Sequence, residues 1–336
     1  MVPKPDTDVM KMTLDLRGVN DASTVTSSWP IPNIEVLLQL VMEKKPKMFF
    51  KIDLTAGYHQ LPVAPASRIY TAFMTVWGIF EWLRVPMGLK SAASWFQQQI
   101  ATVVLVGLIY SCLELYIDDI IGFADTEEEL MNVFEQTLAR FDKHNIKVHP
   151  KKLEFGVHKI EYVGRILDGA TNSISMSQDR KDTVFEIKLP ETQRGVKSFL
   201  GLTHFFRDYI RGYVHFEHPL KTLVNPYQQR KKIVWSPESM IVFEDMRQAV
   251  LDSQQLYFLT DIDGAETILA TDACNYGIGG WLIQRWTEDG VMRNRPIKIY
   301  SRSLRGAELA WATNEKEAFV INMLVASGIT YFAVGT

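Results

Sequence analysis

The sequence predicts an α+β fold: strand and helix signals alternate over residues 1 to 172, a helical pattern runs from 173 to 255, and strand signals return from 256 onward. Two observations carry that expectation. Apolar residues make up 47% and charged residues 22% of the 336, the composition of a folded soluble protein with room for two or three modules rather than one core. Apolar runs of strand length also alternate with segments whose apolar positions recur at helical spacing.

The elements follow in order. Met48-Phe49-Phe50 is a strand signal that leads through Lys51-Ile52 into Asp53, then into Thr55-Ala56-Gly57-Tyr58-His59-Gln60. Ser91 is placed to cap a helix running through Trp95, Phe96 and Ile100. The apolar run Leu115 to Phe123 is interrupted by Tyr116-Ile117-Asp118-Asp119. Thr126, with Glu129 three positions on, forms a capping-box signal ahead of Leu130, Phe134, Leu138 and Phe141 at helical spacing. A basic segment, His149-Pro150-Lys151-Lys152, precedes a short strand signal from Tyr162 to Leu167. In the helical stretch, Val196, Phe199, Leu200 and Phe206 share one face. A second helix starts at Ser236-Pro237 and continues through Met240, Phe243, Met246 and Val250. Strand signals at Thr267 to Thr271 and Gly280 to Gln284 are followed by a helix around Glu315 to Val325.

Adjacent carboxylates inside an apolar run need an explanation. An Asp-Asp pair makes a good hairpin turn, because Asp tolerates turn conformations and bonds its own backbone. Buried without a partner it would be strongly disfavoured, so the other reading is service to a cation. Asp53, also following an apolar strand signal, supplies a third acid. Three aspartates on neighbouring strands form the kind of cluster that holds two divalent ions about 3.5–4 Å apart for in-line phosphoryl transfer.

KIDLTAGYHQ (51–60), VPMGLKSAASWFQ (85–97), YIDD (116–119) and YVGRIL (162–167), in this order and spacing, resemble the polymerase motifs of reverse transcriptases from Gypsy-type LTR retrotransposons. The resemblance extends N-terminally through Thr13 to Arg17 and Trp29 to Pro32. It extends C-terminally through Ser198 to Ile210, Trp235 to Glu238 and Ala270 to Gly280, so it covers almost the whole chain. It implies a right-hand polymerase: fingers and palm over 1–172 with N-terminally truncated fingers, a helical thumb or connection over 173–255, and a truncated RNase H-like α/β domain over 256–336.

By that resemblance Asp53 and Asp118 hold two Mg²⁺ ions, with Mn²⁺ as an alternative, while Asp119 is an indirect ligand and Leu54 joins the metal set. Tyr58 matches the aromatic gate against a ribose 2′-hydroxyl. Met87 and Gly88 match the loop where the backbone approaches the nucleotide, and Lys4 and Lys11 match the basic residues that grip the triphosphate. Lys152 takes the place of a general acid for the leaving pyrophosphate. Tyr162, Val163 and Gly164 resemble the hairpin that positions the primer end, and Lys197, Gly201 and Phe205, at spacing four, resemble the thumb stripe that tracks the duplex. Asp272 and Glu317 match two RNase H carboxylates. The family's third follows a strand resembling Tyr331 to Thr336, so RNase H activity is expected to be absent and the segment beyond 256 to be marginally ordered on its own.

The implied partners are an RNA template, a DNA or RNA primer, RNA–DNA hybrid and dNTPs. The net charge of −3 does not by itself favour nucleic acid, but residues 140 to 165 carry seven basic side chains against three acids. The two cysteines, Cys112 and Cys274, form neither a disulfide framework nor a zinc quartet. The longest apolar run, Ile100 to Leu113, is too short to span a bilayer, and the setting expected is intracellular, in a cytoplasmic particle or the nucleus. Two other classes compete. A nucleotide cyclase or other palm-fold phosphotransferase would share paired acids on a hairpin but not the motif after Pro86. An inert retroelement relic or domesticated nucleic-acid-binding protein would share every motif.

Overall fold

The computed structural model describes residues 2–3, 10–23, 29–225 and 230–327, and the chain divides into two compact units, Met1–Val163 and Gly164–Thr336. The first unit opens with two short paired strands, β1 (Val2–Pro3) and β2 (Met10–Lys11), then α1 (Arg17–Ala22) and α2 (Ile34–Glu43). Asn33 caps α2 by accepting from the backbone N–H groups of Glu35 and Val36. There follow β3 (Met48–Asp53), α3 (Gly57–Gln60), the hairpin β4 (Phe73–Thr75) and β5 (Gly78–Phe80), and α4 (Ala92–Gln99), which runs on as a π-helix over Ile100–Val104. The unit closes with β6 (Leu113–Tyr116), β7 (Asp119–Ala124), α5 (Glu127–Lys143), β8 (Glu154–Val157) and β9 (Lys159–Tyr162).

The expected caps divide. Thr126 accepts from the Glu129 N–H at the start of α5, whereas Ser91 occupies the position before α4 and makes no side-chain cap bond. The interrupted run from Leu115 to Phe123 is a hairpin, β6 and β7, as an Asp-Asp interruption allows, with Ile117-Asp118 rather than Asp118-Asp119 as its two-residue turn.

An antiparallel sheet in the order β6-β7-β3-β8 sets the site. Strand side chains alternate between faces. Phe50, Ile52 and Leu54 with Leu113, Leu115 and Ile120 face the core that includes Phe96 and Ile100 beyond α4 and Leu130 and Phe141 of α5. The intervening Asp53, Asp119 and Glu114 therefore fall on the opposite face.

The second unit holds β10 (Arg165–Asp168), β11 (Ser173–Met176), α6 (Gln178–Phe185), α7 (Gln193–Thr203), a 3-10 segment His204–Tyr209, α8 (Tyr213–Thr222), α9 (Pro237–Leu251), β12 (Leu256–Tyr257), β13 (Glu266–Ala273), β14 (Gly277–Glu288), β15 (Val291–Ser303) and α10 (Thr313–Ser327). The stretch expected to be helical from 173 begins with a strand: the Ser-Ile-Ser-Met alternation of β11 lets it pair with β10 and β12. β15 is a second departure. Arg293, Asn294, Arg295 and Pro296 hide its strand character, but Asp289-Gly290, both with positive φ, turn the chain so that β15 pairs along β14.

Ser236 caps α9 in a reciprocal box with Ser239, with Pro237 in the first turn as expected. The C-terminal sheet packs in the same unit as α8. Val214 fills the space over Gly277, its N–H donates to Ser301 Oγ at 2.9 Å, and His218 stacks on Tyr276 at 4.2 Å. Among the described residues, no helix is long and apolar enough to cross a membrane.

Candidate active site

β3 ends on Asp53 and β7 begins on Asp119, and the antiparallel register places the two directly opposite each other. Like charges in such a pair repel, so the arrangement is unfavourable unless a cation offsets it. Asp118 joins them from the turn. A Cβ added at Gly57 would lie 3.4 Å from the Asp118 Cβ, which puts the first residue of α3 against this acid.

The turn is strained and held. Ile117 has φ +59°, a left-handed conformation that a β-branched residue avoids. The buried Gln97 of α4 clamps it: its Oε1 accepts from the Ile117 N–H at 2.6 Å and its Nε2 donates to the Leu115 carbonyl at 2.9 Å. Sequence reading passed over Gln97, although a glutamine beside Phe96 on a helix facing the core was the available signal.

Electrostatics point the same way. Burial raises the Asp119 carboxyl above its ordinary range, and the negative charges of Asp118 and Asp53 raise it further. Lys152 Nζ donates to Asp53 Oδ2 at 2.7 Å, and that bond raises the lysine in turn. Lys152 is brought there by a loop that Gln60 fastens. The Gln60 Nε2 donates to the Thr55 and Lys147 carbonyls, and its Oε1 accepts from the Lys147 N–H.

Among the described residues no three or more His, Cys, Asp and Glu side chains close into a ready-made metal cage. The aspartates stand on adjacent backbone positions with Asp53 turned to Lys152. Three carboxylates against the ammonium groups of Lys152 and Lys51, the latter also paired with Glu154, leave a local excess of negative charge, and an all-oxygen donor set of this kind suits a hard divalent ion. Leu54 is compatible with that set through its backbone. Its bridge to Val148 is closed by Thr55 N to Lys147 O and His149 N to Asp53 O, so the Leu54 carbonyl is directed away from Val148.

The remaining expected residues are placed individually. Tyr58 on α3 is half-buried, edge-on to Phe96 at 5.3 Å, and its hydroxyl pKa is raised by burial and then by Asp118. Met87 is half-buried and Gly88 exposed, the latter with φ +104°. Lys4 lies outside the described residues. Lys11 lies in β2, and its side chain is outside them as well. Tyr162 is fully buried and its hydroxyl donates to the Asp119 carbonyl at 3.1 Å, so it braces the start of β7. Val163 and Gly164 both have positive φ. Lys197 and Gly201 lie on the exposed side of α7, opposite Val196, Phe199 and Thr203, and Phe205 sits under the guanidinium groups of Arg165 and Arg180.

In the C-terminal sheet Asp272 lines a cleft of about 290 Å³ with Arg211, His215 and Trp281, while Leu269 and Ala273 alternate onto the face packed with Val320 of α10. Glu317 is exposed on α10. The segment 331–336, expected to lead to a third acid, lies outside the described residues.

An antiparallel sheet presenting two opposed aspartates, with a third in a strained turn, is a palm-like arrangement of carboxylates. Residues 2–167 match the reverse transcriptase (RNA-dependent DNA polymerase) family, and residues 235–332 match the RNase H-like domain found in reverse transcriptase. The chain is 31% identical over 328 residues to the retrovirus-related Pol polyprotein from transposon opus of Drosophila melanogaster, covering 95% of this chain and 32% of that protein. It is 27% identical over 334 residues to the one from transposon gypsy of the same species, covering 96% and 31%. It therefore belongs to the Gypsy-type LTR retrotransposon reverse transcriptases and carries an RNase H-like region. The chain spans about a third of the length of these curated relatives. In fold it is similar to the foamy viral protease-reverse transcriptase dRH in complex with ds DNA, with a TM-score of 0.79 and 21% identity, over 98% of this chain and 55% of that one. A second structure, with RNA/DNA hybrid, gives 0.77 and 22%, over 98% and 42%.

Proposed function

We propose that this chain carries RNA-directed DNA polymerase activity, extending a DNA or RNA primer on an RNA template with dNTPs. The observation that carries this reading is the register match of Asp53 with Asp119, with Asp118 in the adjoining turn. Asp53, Asp118 and the Leu54 carbonyl would hold two Mg²⁺ ions, or Mn²⁺, with Asp119 acting through the others. When bound, such ions make the primer 3′-hydroxyl a better nucleophile and neutralise charge on the triphosphate.

The chain's own residues supply the rest. Tyr58 walls the space where a ribose 2′-hydroxyl would project, and Met87 and Gly88 present backbone to the incoming nucleotide. Lys4 and Lys11 supply charge for its phosphates. Lys152, whose raised pKa keeps its proton, is placed to pass that proton to leaving pyrophosphate once its bond to Asp53 opens. The turn at Val163 and Gly164, anchored by the buried Tyr162, presents backbone to the primer end, and Lys197 and Gly201 on the exposed face of α7, with Phe205 in the 3-10 segment after it, follow the hybrid duplex. In the domain reading, 1–172 is fingers and palm, 173–255 thumb and connection, and 256–336 the RNase H-like region.

Primer extension on an RNA template with Mg²⁺ tests this. It should vanish in Asp118→Asn while the variant keeps its circular dichroism spectrum, and extension by that folded variant would overturn the assignment.

A further inference from the structure

The loop Pro86 to Lys90 is pinned from a distance. Asn20, in α1, lies 68 residues from Gly88, and its Nδ2 donates to the Gly88 carbonyl at 2.8 Å. Its Oδ1 accepts from the Lys90 N–H at 2.9 Å. A carboxamide offers one donor and one acceptor side by side, which matches a carbonyl and the N–H two residues on, and only this orientation of the amide satisfies both. The Lys90 ammonium returns the tie by donating to the Asn20 carbonyl at 2.9 Å and the Ser23 carbonyl at 3.1 Å. None of α1 is buried, so apolar packing does little to hold it there. Immediately before the two bonds to the loop the chain passes through Gly88 at φ +104°, a conformation that side-chain-bearing residues rarely adopt. A Cβ there would lie 3.6 Å from the Leu14 carbonyl, so the segment before α1 closes one side of the loop.

We propose that Asn20 is a positioning residue that holds the Met87–Gly88 loop in the conformation that receives the incoming dNTP. This rests on the reading of that loop as part of the nucleotide site. Without the amide the loop samples other conformations, and apparent affinity falls by the fraction left competent, while Asp53, Asp118 and Asp119 are untouched. The loss therefore falls on KM and spares kcat.

Single-nucleotide incorporation on a primed RNA template, with dNTP varied, tests this in Asn20→Ala. KM should rise roughly tenfold, equal to about 1.4 kcal/mol, with kcat within about twofold. Asn20→Asp keeps the acceptor for Lys90 and loses the donor to Gly88, so it provides the same reading if Asn20→Ala fails to fold. Unchanged KM in the folded variants, or a fall in kcat alone, overturns the proposal. Gly88→Ala separates the two ideas. A raised KM there with unaffected Asn20 variants sinks only the role of Asn20, whereas an unchanged KM in Gly88→Ala sinks the nucleotide-site reading and this inference with it.

Discussion

Single residues carry the sharpest expectations. Tyr58 is held by Phe96 and sits close enough to Asp118 for that acid to raise its pKa. If its ring is what the 2′-hydroxyl would meet, Tyr58→Val should raise ribonucleotide incorporation relative to deoxyribonucleotides, whereas Tyr58→Phe, which keeps the ring, should not. Equal discrimination in all three proteins would make Tyr58 a packing residue. Glu114, on the same sheet face as the aspartates, is 3% exposed, and burial pushes its carboxyl from an ordinary 4.5 up to about 7, with Lys44 opposing. The folded state therefore keeps a proton that the unfolded chain releases between those values, so stability falls as pH rises through that window and is level above it. Urea unfolding at pH 5 and pH 8 should show wild type losing on the order of 3 kcal/mol relative to Glu114→Gln. A constant difference across that range would contradict it.

At the scale of elements, the β6–β7 hairpin survives its own strain because α4 satisfies it. Gln97→Leu keeps the volume and removes both bonds to the turn, leaving the Ile117 N–H and the Leu115 carbonyl without them. Each such buried group costs about 1–3 kcal/mol, so the midpoint of denaturation should drop and kcat should fall further than stability alone explains. The sheet imposes a second constraint at Gly122, where an added Cβ would come within 2.1 Å of the Phe50 ring. Phe50 cannot yield easily, since it packs on Phe134 at 5.2 Å and Phe155 at 6.2 Å. Gly122→Ala should destabilise by about 1–3 kcal/mol in equilibrium unfolding.

Across the whole molecule, the division at residue 163 joins the helices after β11 to the C-terminal sheet in one unit. Val214 over Gly277 and Arg211 against the Trp281 ring at 3.0 Å are contacts that β13 and β14 would lack alone. Hydrogen exchange should therefore find β13 to β15 protected in the full chain and poorly protected in a fragment of residues 256–336. Equal protection would show that the sheet needs no help from α8. Charge is also distributed at this scale: a chain of net charge −3 still carries seven basic residues against three acids between 140 and 165.

The sequence by itself determined the acids and the caps at Thr126 and Ser236, because these depend on patterns of two to four residues. It did not determine the opposition of Asp53 and Asp119, the bond of Lys152 to Asp53 across 99 positions, or the amides of Gln97 and Asn20. It also left β11 and β15 unread, since their strand character comes from neighbours that supply hydrogen bonds. Periodicity reports which face of an element is apolar. Which distant face it meets, and which buried polar group it satisfies there, is settled only when the packed chain closes those contacts together.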